Sequence, residues 1–308
     1  MKTANLIYKA LTTVLGLLAV SNLVYAQQHL PLYPQGIPNA KEAENIERNE
    51  PNAMVDSLAF DVSEPSIRLF LVPEDRATGT AVIICPGGGY HTLLTKREGS
   101  DVARVFNKLG ISAIVLHYRL PNDRIMVDPS IGPLQDLQQA IKTVRERATE
   151  WHIDPQRVGV MGFSAGGHLA ATAGTHYADT YIENPENTNL RPDFLLLINP
   201  VISFMDSVGH TGSRANLLGA QPSDKQLFYF SNELHVDSLT PPTFLVHSGA
   251  DEVVSVENSL YFYRGLRQHH VEAAMHIYAK GEHGFLTAPS FDEWFGRCTY
   301  WMGQLGLK

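Results

Sequence analysis

The chain has 308 residues, of which 44% are hydrophobic and 18% are charged, and these proportions suit a globular protein with a sizeable core. Its length suits one large domain or two small ones. The formal net charge of −8 argues against nucleic acid as a partner, because the chain has no basic excess with which to neutralise phosphates.

The first 26 residues have the three-part pattern of a secretory signal peptide. Lys2 and Lys9 give the segment a basic start, an apolar run covers 10–20, and Val24-Tyr25-Ala26 is suited to cleavage. The apolar run is short for a bilayer span, although an uncleaved anchor remains the alternative. We therefore predict a secreted or periplasmic protein in which residues 27–308 form one mature domain without a membrane span.

The chain contains only two cysteines, Cys85 and Cys298, which could pair but do not form a disulfide framework. Cys85 ends a strongly apolar run, which favours a buried thiol. The histidines, cysteines and carboxylates show no metal-ligand spacing in the sequence. We therefore predict neither a metal site nor a cofactor.

The first half of the mature chain alternates strands and helices after a polar, proline-rich leader at 27–56, which we expect to lie extended on the surface. The run 66–71 alternates like a strand with one solvated face, whereas 80–85 is continuously apolar, as in a strand buried on both faces. The next predicted elements are a helix at 100–109, a strand at 111–118, an amphipathic helix around 134–144 and a strand at 157–161. This alternation predicts a mostly parallel sheet with helices on both faces.

The second half continues the alternation with one long interruption. The predicted elements are a strand at 193–199, a strand at 243–247, a helix at 256–268, a strand at 274–278 and a helix at 291–305. Residues 201–240 are irregular, and an insertion of this length is typical of a small cap that shapes a substrate site. His210 and Arg214 lie in this insertion and are candidates for substrate contact.

The pentapeptide Gly162-Phe163-Ser164-Ala165-Gly166 lies between a predicted strand and a predicted helix. This G-x-S-x-G spacing is that of a nucleophile elbow, a tight turn that lifts one serine above the sheet and leaves no room for side chains at the glycines. By itself the pattern is weak, because small residues around a serine are common. It gains weight only if an oxyanion hole precedes Ser164 and an acid and a histidine follow it.

The strand predicted at 80–85 ends in Pro86-Gly87-Gly88-Gly89-Tyr90-His91. Three consecutive glycines cost conformational entropy, and ligand sites of α/β sheets lie at such strand ends. We interpret the loop as an oxyanion hole in which the N–H groups of Gly88 and Gly89 act with that of Ala165. The alternative is a flexible surface turn.

The acid and the base come from two later strand ends. Asp251 is the first carboxylate after the strand at 243–247 and is preferred to Glu252, although it could instead cap the following helix. His283 lies in a glycine-rich loop after the strand at 274–278. Ser164, Asp251 and His283 follow the chain order of the α/β-hydrolase triad, which predicts an α/β-hydrolase fold. In this hypothesis His283 is the general base and Asp251 orients it.

Several segments resemble the secreted bacterial α/β-hydrolase esterases that deacylate plant cell-wall polysaccharides, namely acetylxylan esterases and related bifunctional acetyl/feruloyl esterases. The similar segments are 31–36, 85–90, 117–121, 162–170, 213–219 and 281–285. The hormone-sensitive-lipase-like esterases are more distant relatives. The resemblance implies the same triad and a carbohydrate-ester substrate. One departure is Val254-Ser255, where the family often has proline shortly after the acid.

The favoured hypothesis is a secreted serine esterase that removes acetyl, or also feruloyl, groups from hemicellulose such as xylan. A general small-ester carboxylesterase is the alternative, while a serine exopeptidase and a non-catalytic carbohydrate-binding hydrolase fold are disfavoured. The expected partner is an acylated polysaccharide or oligosaccharide, and the oligomeric state is left open. Candidate substrate-contacting residues are Tyr90, His91, Arg119, His210 and Arg214, and Glu98 is a further candidate for lining the pocket.

Overall fold

The structure, a computed structural model, describes residues 28–308, so the predicted signal peptide at 1–26 lies outside the described residues. The strands are β1 Gln28–Pro31, β2 Arg48–Asn52, β3 Asp56–Phe60, β4 Ser66–Phe70, β5 Ala81–Cys85, β6 Thr92–Leu93, β7 Ser112–His117, β8 Val158–Phe163, β9 Leu195–Ile198, β10 Thr243–Ser248 and β11 Ala273–Tyr278. The helices are α1 Asp101–Lys108, α2 Gly132–Glu146, α3 Ser164–Thr175, α4 Thr211–Leu218, α5 Asp224–Tyr229, α6 Glu257–Gln268 and α7 Phe291–Gln304. Within 28–308, no helix is long and apolar enough to cross a bilayer.

Eight strands form the central sheet in the order β1-β4-β7-β5-β8-β9-β10-β11. The pairs β1–β4 and β4–β7 are antiparallel, and the strands from β7 to β11 pair in parallel. Parallel strands point their carboxyl ends to one edge of the sheet, which is where α/β folds place their sites. The predicted mostly parallel sheet is confirmed.

Two apolar layers cover the faces of this sheet, because successive strand residues point to opposite faces. In β5, Ile83 and Cys85 join the layer that also contains apolar residues of α2, α3 and α6. Val82 and Ile84 join the layer built with α1 and α7. Every residue of β5 is buried, as the continuous apolar run predicts.

The leader is more ordered than the sequence suggested. β1 pairs with β4 and covers its edge, while β2 and β3 join β6 in a small separate sheet. The expected solvated face of β4 is therefore largely buried, and only Arg68 in it is partly exposed. Pairing an edge strand satisfies backbone groups that would otherwise be left open. β3, which follows the leader, also supports the chain directly after the glycine loop by pairing with β6, and there the Thr92 hydroxyl donates to the Ala59 carbonyl at 2.8 Å.

The irregular insertion at 201–240 contains α4, α5 and a 3₁₀ turn at Asn232–Leu234. His210 caps α4 by accepting a hydrogen bond from the Ser213 N–H, and a capping box between Ser223 and Gln226 begins α5. Asn216 in α4 donates to the Gly89 carbonyl at 2.8 Å. The insertion thus touches the glycine loop at the site edge of the sheet.

Candidate active site

Ser164 stands at the junction of β8 and α3 with a φ of 51°. A non-glycine residue in this left-handed region is strained and is held there by its surroundings. A Cβ on Gly162 would overlap the Gly166 carbonyl, and a Cβ on Gly166 would overlap the Cys85 carbonyl. The elbow therefore forms as the G-x-S-x-G spacing indicates, with both glycines required by close approach of the backbone.

The structure brings Ser164, His283 and Asp251 into one hydrogen-bonded chain. His283 Nε2 lies 2.7 Å from Ser164 Oγ, and His283 Nδ1 lies 2.6 Å from Asp251 Oδ2. A carboxylate at Nδ1 fixes the proton there and leaves the Nε2 lone pair facing the serine hydroxyl. This geometry lets the histidine take the serine proton, so the predicted roles of the three residues are chemically consistent with their placement.

Asp251 is buried and held by several donors. Its Oδ1 accepts the N–H groups of Val253 at 2.9 Å and Val254 at 2.8 Å. Burial acts to raise the pKa of Asp251, but hydrogen bonds from His247 and His283 outweigh it and hold the pKa well below its usual range. Asp251 therefore stays ionised at neutral pH. The turn closes around these two N–H groups without the proline that the family often has.

His247 is a site residue that sequence reasoning missed. It lies fully buried in β10, with Nε2 3.3 Å from Asp251 Oδ2 and 3.0 Å from the Val254 carbonyl. Because Nε2 faces two acceptors, it carries the proton, and Nδ1 accepts from the Ser259 hydroxyl at 2.8 Å. The available signal was a histidine four residues before the acid in an otherwise apolar strand.

The glycine loop passes directly beside the serine. The Gly87 N–H donates to Glu98 Oε2 at 2.8 Å and is not available to a substrate. The Gly88 carbonyl accepts the N–H groups of His91 and Thr92, both at 3.0 Å. Gly88 and Gly89 have φ values of 129° and 64°, which glycine adopts at little cost.

Three N–H groups therefore remain as the predicted oxyanion hole, those of Gly88, Gly89 and Ala165. Across residues 28–308, none of the three donates to a carbonyl or side chain in a loop or turn contact. Ala165 lies in the first turn of α3, where N–H groups have no acceptor within the helix.

Tyr90 does not face a substrate, so the prediction is wrong for its side chain. The ring is buried, and its hydroxyl lies 2.9 Å from His168 Nδ1. His168 Nε2 lies 2.8 Å from the Phe230 carbonyl, which can only accept, so Nε2 carries the proton and Tyr90 donates to Nδ1. Burial lowers the pKa of His168 to about 4, which keeps the ring neutral. This chain ties the glycine loop to α3 and to the insertion.

Arg119 is also a structural residue, and its predicted substrate contact is wrong. Its side chain is 1% exposed and pairs with the buried Asp136, Nη2 to Oδ1 at 2.7 Å. Its Nη1 donates to the Pro38 carbonyl at 2.8 Å. A buried charge needs such complete pairing, which explains an arginine in this apolar stretch without any role in binding.

The local surroundings differ for His91, His210 and Arg214. Contact of each of them with substrate stays a prediction. His91 is exposed, with its ring 5.6 Å from that of Phe60. Burial and the charge of His283 lower the pKa of His210, while Asp251 acts to raise it. Arg214 is engaged within the insertion, where it donates to the Phe204 carbonyl at 3.0 Å.

An open cavity of about 450 Å³ adjoins His283, and its walls mix charged and apolar groups. Its lining residues are Ala250, Glu252, Val253, Lys280, Gly281, Glu282 and His283. In the described part of the chain, no three histidines, cysteines or carboxylates are grouped as metal ligands would be.

The BD-FAE family model matches residues 68–266. The chain is 36% identical over 220 residues to an endo-1,4-beta-xylanase B of Butyrivibrio fibrisolvens, covering 70% of this chain and 34% of that protein. It is also 36% identical over 229 residues to an acetylxylan esterase of Xylanibacter ruminicola, covering 73% of this chain and 44% of that protein. The chain thus spans less than half the length of these curated relatives.

Solved structures agree with the fold. An acetyl ester-xyloside bifunctional hydrolase from Caldicellulosiruptor lactoaceticus superposes with a TM-score of 0.78 at 34% identity, covering 91% of this chain and 97% of that one. A carboxylesterase from Lactobacillus plantarum superposes with a TM-score of 0.62 at 24% identity, covering 86% and 98%. The α/β-hydrolase fold predicted from the order of the three residues is confirmed.

Proposed function

The chain belongs to the BD-FAE family, and on that premise we propose that it is a serine carboxylic-ester hydrolase that removes acetyl groups from xylan or its oligosaccharides. The hydrogen-bonded chain from Asp251 through His283 to Ser164 carries the proposal, because it supplies an activated nucleophile at the elbow. The proposed substrate is supported by relatives named as an acetylxylan esterase and an acetyl ester-xyloside bifunctional hydrolase.

The proposed first step acylates the serine. Ser164 Oγ bonds to the acyl carbon while its proton passes to His283 Nε2. The N–H groups of Gly88, Gly89 and Ala165 stabilise the resulting oxyanion, and losing one such donor typically costs about 3–4 kcal/mol of transition-state stabilisation. When the C–O bond to the sugar breaks, the sugar oxygen takes the proton from Nε2 and leaves as an alcohol.

The second step repeats this chemistry with water. His283 removes a proton from water, the hydroxide adds to the acyl carbon, and the bond to Ser164 Oγ breaks as Nε2 returns its proton to the serine. Asp251 stabilises the imidazolium in both steps without being protonated. Acetate, or an aromatic acid such as ferulate in a second activity, is the released product.

The sugar part of the substrate has a suitable place beside His283. The leaving oxygen must approach Nε2, and a cavity of about 450 Å³ that includes charged side chains in its walls lies next to this residue. Carboxylates such as Glu252 and Glu282 and the ammonium of Lys280 can exchange water contacts for sugar hydroxyls at modest cost. The cavity therefore offers some hydrogen-bonding groups to a sugar, and the preference for a carbohydrate ester rests on the named relatives.

The decisive experiment measures acetate release from acetylated xylan beside hydrolysis of methyl ferulate and p-nitrophenyl acetate. We expect Ser164→Ala to lower kcat on all hydrolysed substrates by on the order of 10⁴–10⁶. Ser238→Ala, at an exposed serine, is the matched control and should behave as wild type. Hydrolysis of p-nitrophenyl acetate alone would indicate a general carboxylesterase, and hydrolysis that survives Ser164→Ala would overturn the proposal.

We also propose that residues 1–26 direct export and are removed. The basic start, short apolar run and Val24-Tyr25-Ala26 support this. Expression of the full chain in a bacterial host should give an exported protein whose first residue, by N-terminal sequencing, is Gln27 or a close neighbour. A cell-associated protein that retains Met1 would contradict export.

A further inference from the structure

A single π-helical turn, Lys96–Ser100, lies between the glycine loop and α1 and reaches both catalytic loops. Its Glu98 is 4% exposed, and Oε2 accepts the Gly87 N–H at 2.8 Å. A Cβ on Gly87 would lie 2.8 Å from this same oxygen and 3.1 Å from Ser164 Cβ. The carboxylate, the glycine loop and the nucleophile are therefore in successive contact.

The neighbouring residue of the turn reaches the histidine loop. Arg97 Nη2 donates to the Phe285 carbonyl at 2.9 Å, two residues after His283. Arg97 Nη1 lies 3.9 Å from Glu98 Oε1. A Cβ on Gly284 would lie 3.4 Å from Arg97 Nη1 and 3.6 Å from Glu98 Oε1. The two side chains thus fill the space between the loops.

We propose that Arg97 and Glu98 are positioning residues that fix the oxyanion loop relative to the catalytic histidine loop. This inference rests on the proposed serine esterase reaction and assigns no direct contact with substrate to either residue. Glu98 acts through the Gly87 N–H, and Arg97 acts through the Phe285 carbonyl.

The physical need for such a pair comes from the loop itself. Three consecutive glycines have little intrinsic rigidity, yet oxyanion donors are effective only about 2.7–3.1 Å from the developing charge. The first glycine is the one whose N–H is tied to Glu98, so this bond sets the direction in which Gly88 and Gly89 point. A π-helical turn, which contains one residue more than an α-helical turn, is often found at functional sites.

The carboxyl group of Glu98 is buried, and neighbouring groups offset part of the cost of burying its charge. Burial raises the pKa of Glu98, whereas the Gly87 N–H, the Arg97 guanidinium and His283 act in the opposite direction. A carboxylate in such a place is costly unless it is hydrogen-bonded, and it makes a stronger bond to an N–H than a neutral acceptor does. Glutamine would keep an acceptor oxygen of the same reach without the charge.

The test compares Glu98→Gln, Glu98→Leu and Arg97→Leu with wild type. A fluorophosphonate probe counts the competent sites through complete labelling of Ser164, and kcat is expressed per labelled site. For Glu98→Leu we expect kcat on p-nitrophenyl acetate to fall on the order of 10²-fold, the typical effect of one lost oxyanion donor, with KM changed less than about threefold. Glu98→Gln should recover most of kcat, and Arg97→Leu should lower it several-fold.

Asp101→Asn and Arg104→Leu are matched controls, because these residues pair with each other on the exposed side of the adjoining α1. Both should keep the wild-type kcat per labelled site. An unchanged kcat per labelled site in Glu98→Leu would overturn the proposal. If Glu98→Leu does not fold, an unchanged kcat per labelled site in Arg97→Leu would overturn it instead. So would equal losses in Glu98→Gln and Glu98→Leu. Failure of wild type to label or hydrolyse any ester would instead reject the serine mechanism.

Discussion

Two carboxylates near Ser164 have pKa values displaced in opposite directions, and their partners explain why. Asp251 is buried but receives hydrogen bonds from His247, His283 and two backbone N–H groups, so its ionised form is favoured. Glu98 is more deeply buried and has fewer donors, so burial dominates and its pKa is raised. In the proposed reaction, these environments suit Asp251 to stabilising an imidazolium and Glu98 to anchoring a loop.

The lowered pKa of Asp251 predicts how stability depends on pH. A carboxyl whose pKa is lower in the folded state stabilises the fold above its unfolded value of about 3.9, and this contribution is lost as the pH falls toward the folded value. Asn at this position cannot ionise. We therefore expect Asp251→Asn to lower the urea midpoint at pH 7 by the equivalent of about 2 kcal/mol, with the difference shrinking between about pH 4 and pH 2.

The urea midpoint of Glu252→Gln, measured over the same pH range, is the control, because Glu252 is exposed. Its urea midpoint should follow wild type throughout. If the urea midpoints of Asp251→Asn and wild type differed by the same amount from pH 7 to pH 2, the ionised Asp251 would not be the stabilising form.

At the scale of elements, the elbow depends on the close approach of α3 to two strand ends. A Cβ on Gly166 would overlap the carbonyls of Cys85 and Pro86 at the end of β5, and a Cβ on Gly167 would overlap Pro200 after β9. Small residues in the first turn of α3 therefore allow the helix to begin directly above the sheet. This contact is what holds Ser164 in its strained conformation.

Glycine-to-alanine substitutions should distinguish a glycine that close backbone contact requires from a glycine at which only helix propensity matters. Gly166→Ala would overlap backbone carbonyls that cannot move aside, so we expect loss of soluble protein or of activity by more than about 100-fold. Gly296→Ala, in α7, meets nothing within 4 Å and should raise stability by up to about 1 kcal/mol, because alanine is the better helix former.

Activity with p-nitrophenyl acetate and the thermal midpoint are the two measurements. Gly303→Ala is a second control with the same open surroundings in α7. Wild-type activity in Gly166→Ala would show that the elbow tolerates a side chain, against the close contacts described.

At the scale of the whole molecule, the sheet separates two apolar layers, and each contains one cysteine. Cys85 belongs to the layer of α2, α3 and α6, while Cys298 belongs to the layer of α1 and α7. Both thiols are free and buried, and burial raises the pKa of each. The two cysteines therefore contribute to packing and do not crosslink the fold.

Thiol titration checks this arrangement directly. In native protein we expect neither Cys85 nor Cys298 to react with Ellman's reagent within minutes, because the thiolate is the reactive form and the sulfurs are inaccessible. In denaturant, without reductant, two thiols per chain should react at once. Fewer than two would reveal a crosslink, and rapid reaction of the native protein would contradict the burial of both side chains.

Much of the architecture could be predicted because its causes are local in sequence. The continuous apolar run of β5 and the small residues of the elbow report on burial and backbone crowding without reference to distant residues. The chain order of Ser164, Asp251 and His283 could be read in the same way, because each follows a strand end. Parallel strands then place these ends at one edge, where the structure brings the three side chains into contact.

The tertiary structure alone decided which polar residues near these motifs face the site. Arg119 and Tyr90 adjoin recognisable motifs, yet partners distant in the sequence, Asp136 and His168, draw them into the core. His247 and Glu98 acquire their roles only through contacts with Asp251 and Gly87. Periodicity and spacing describe the backbone of one segment, whereas a buried polar side chain is placed by the partner that offsets its desolvation, and that partner is chosen by the fold.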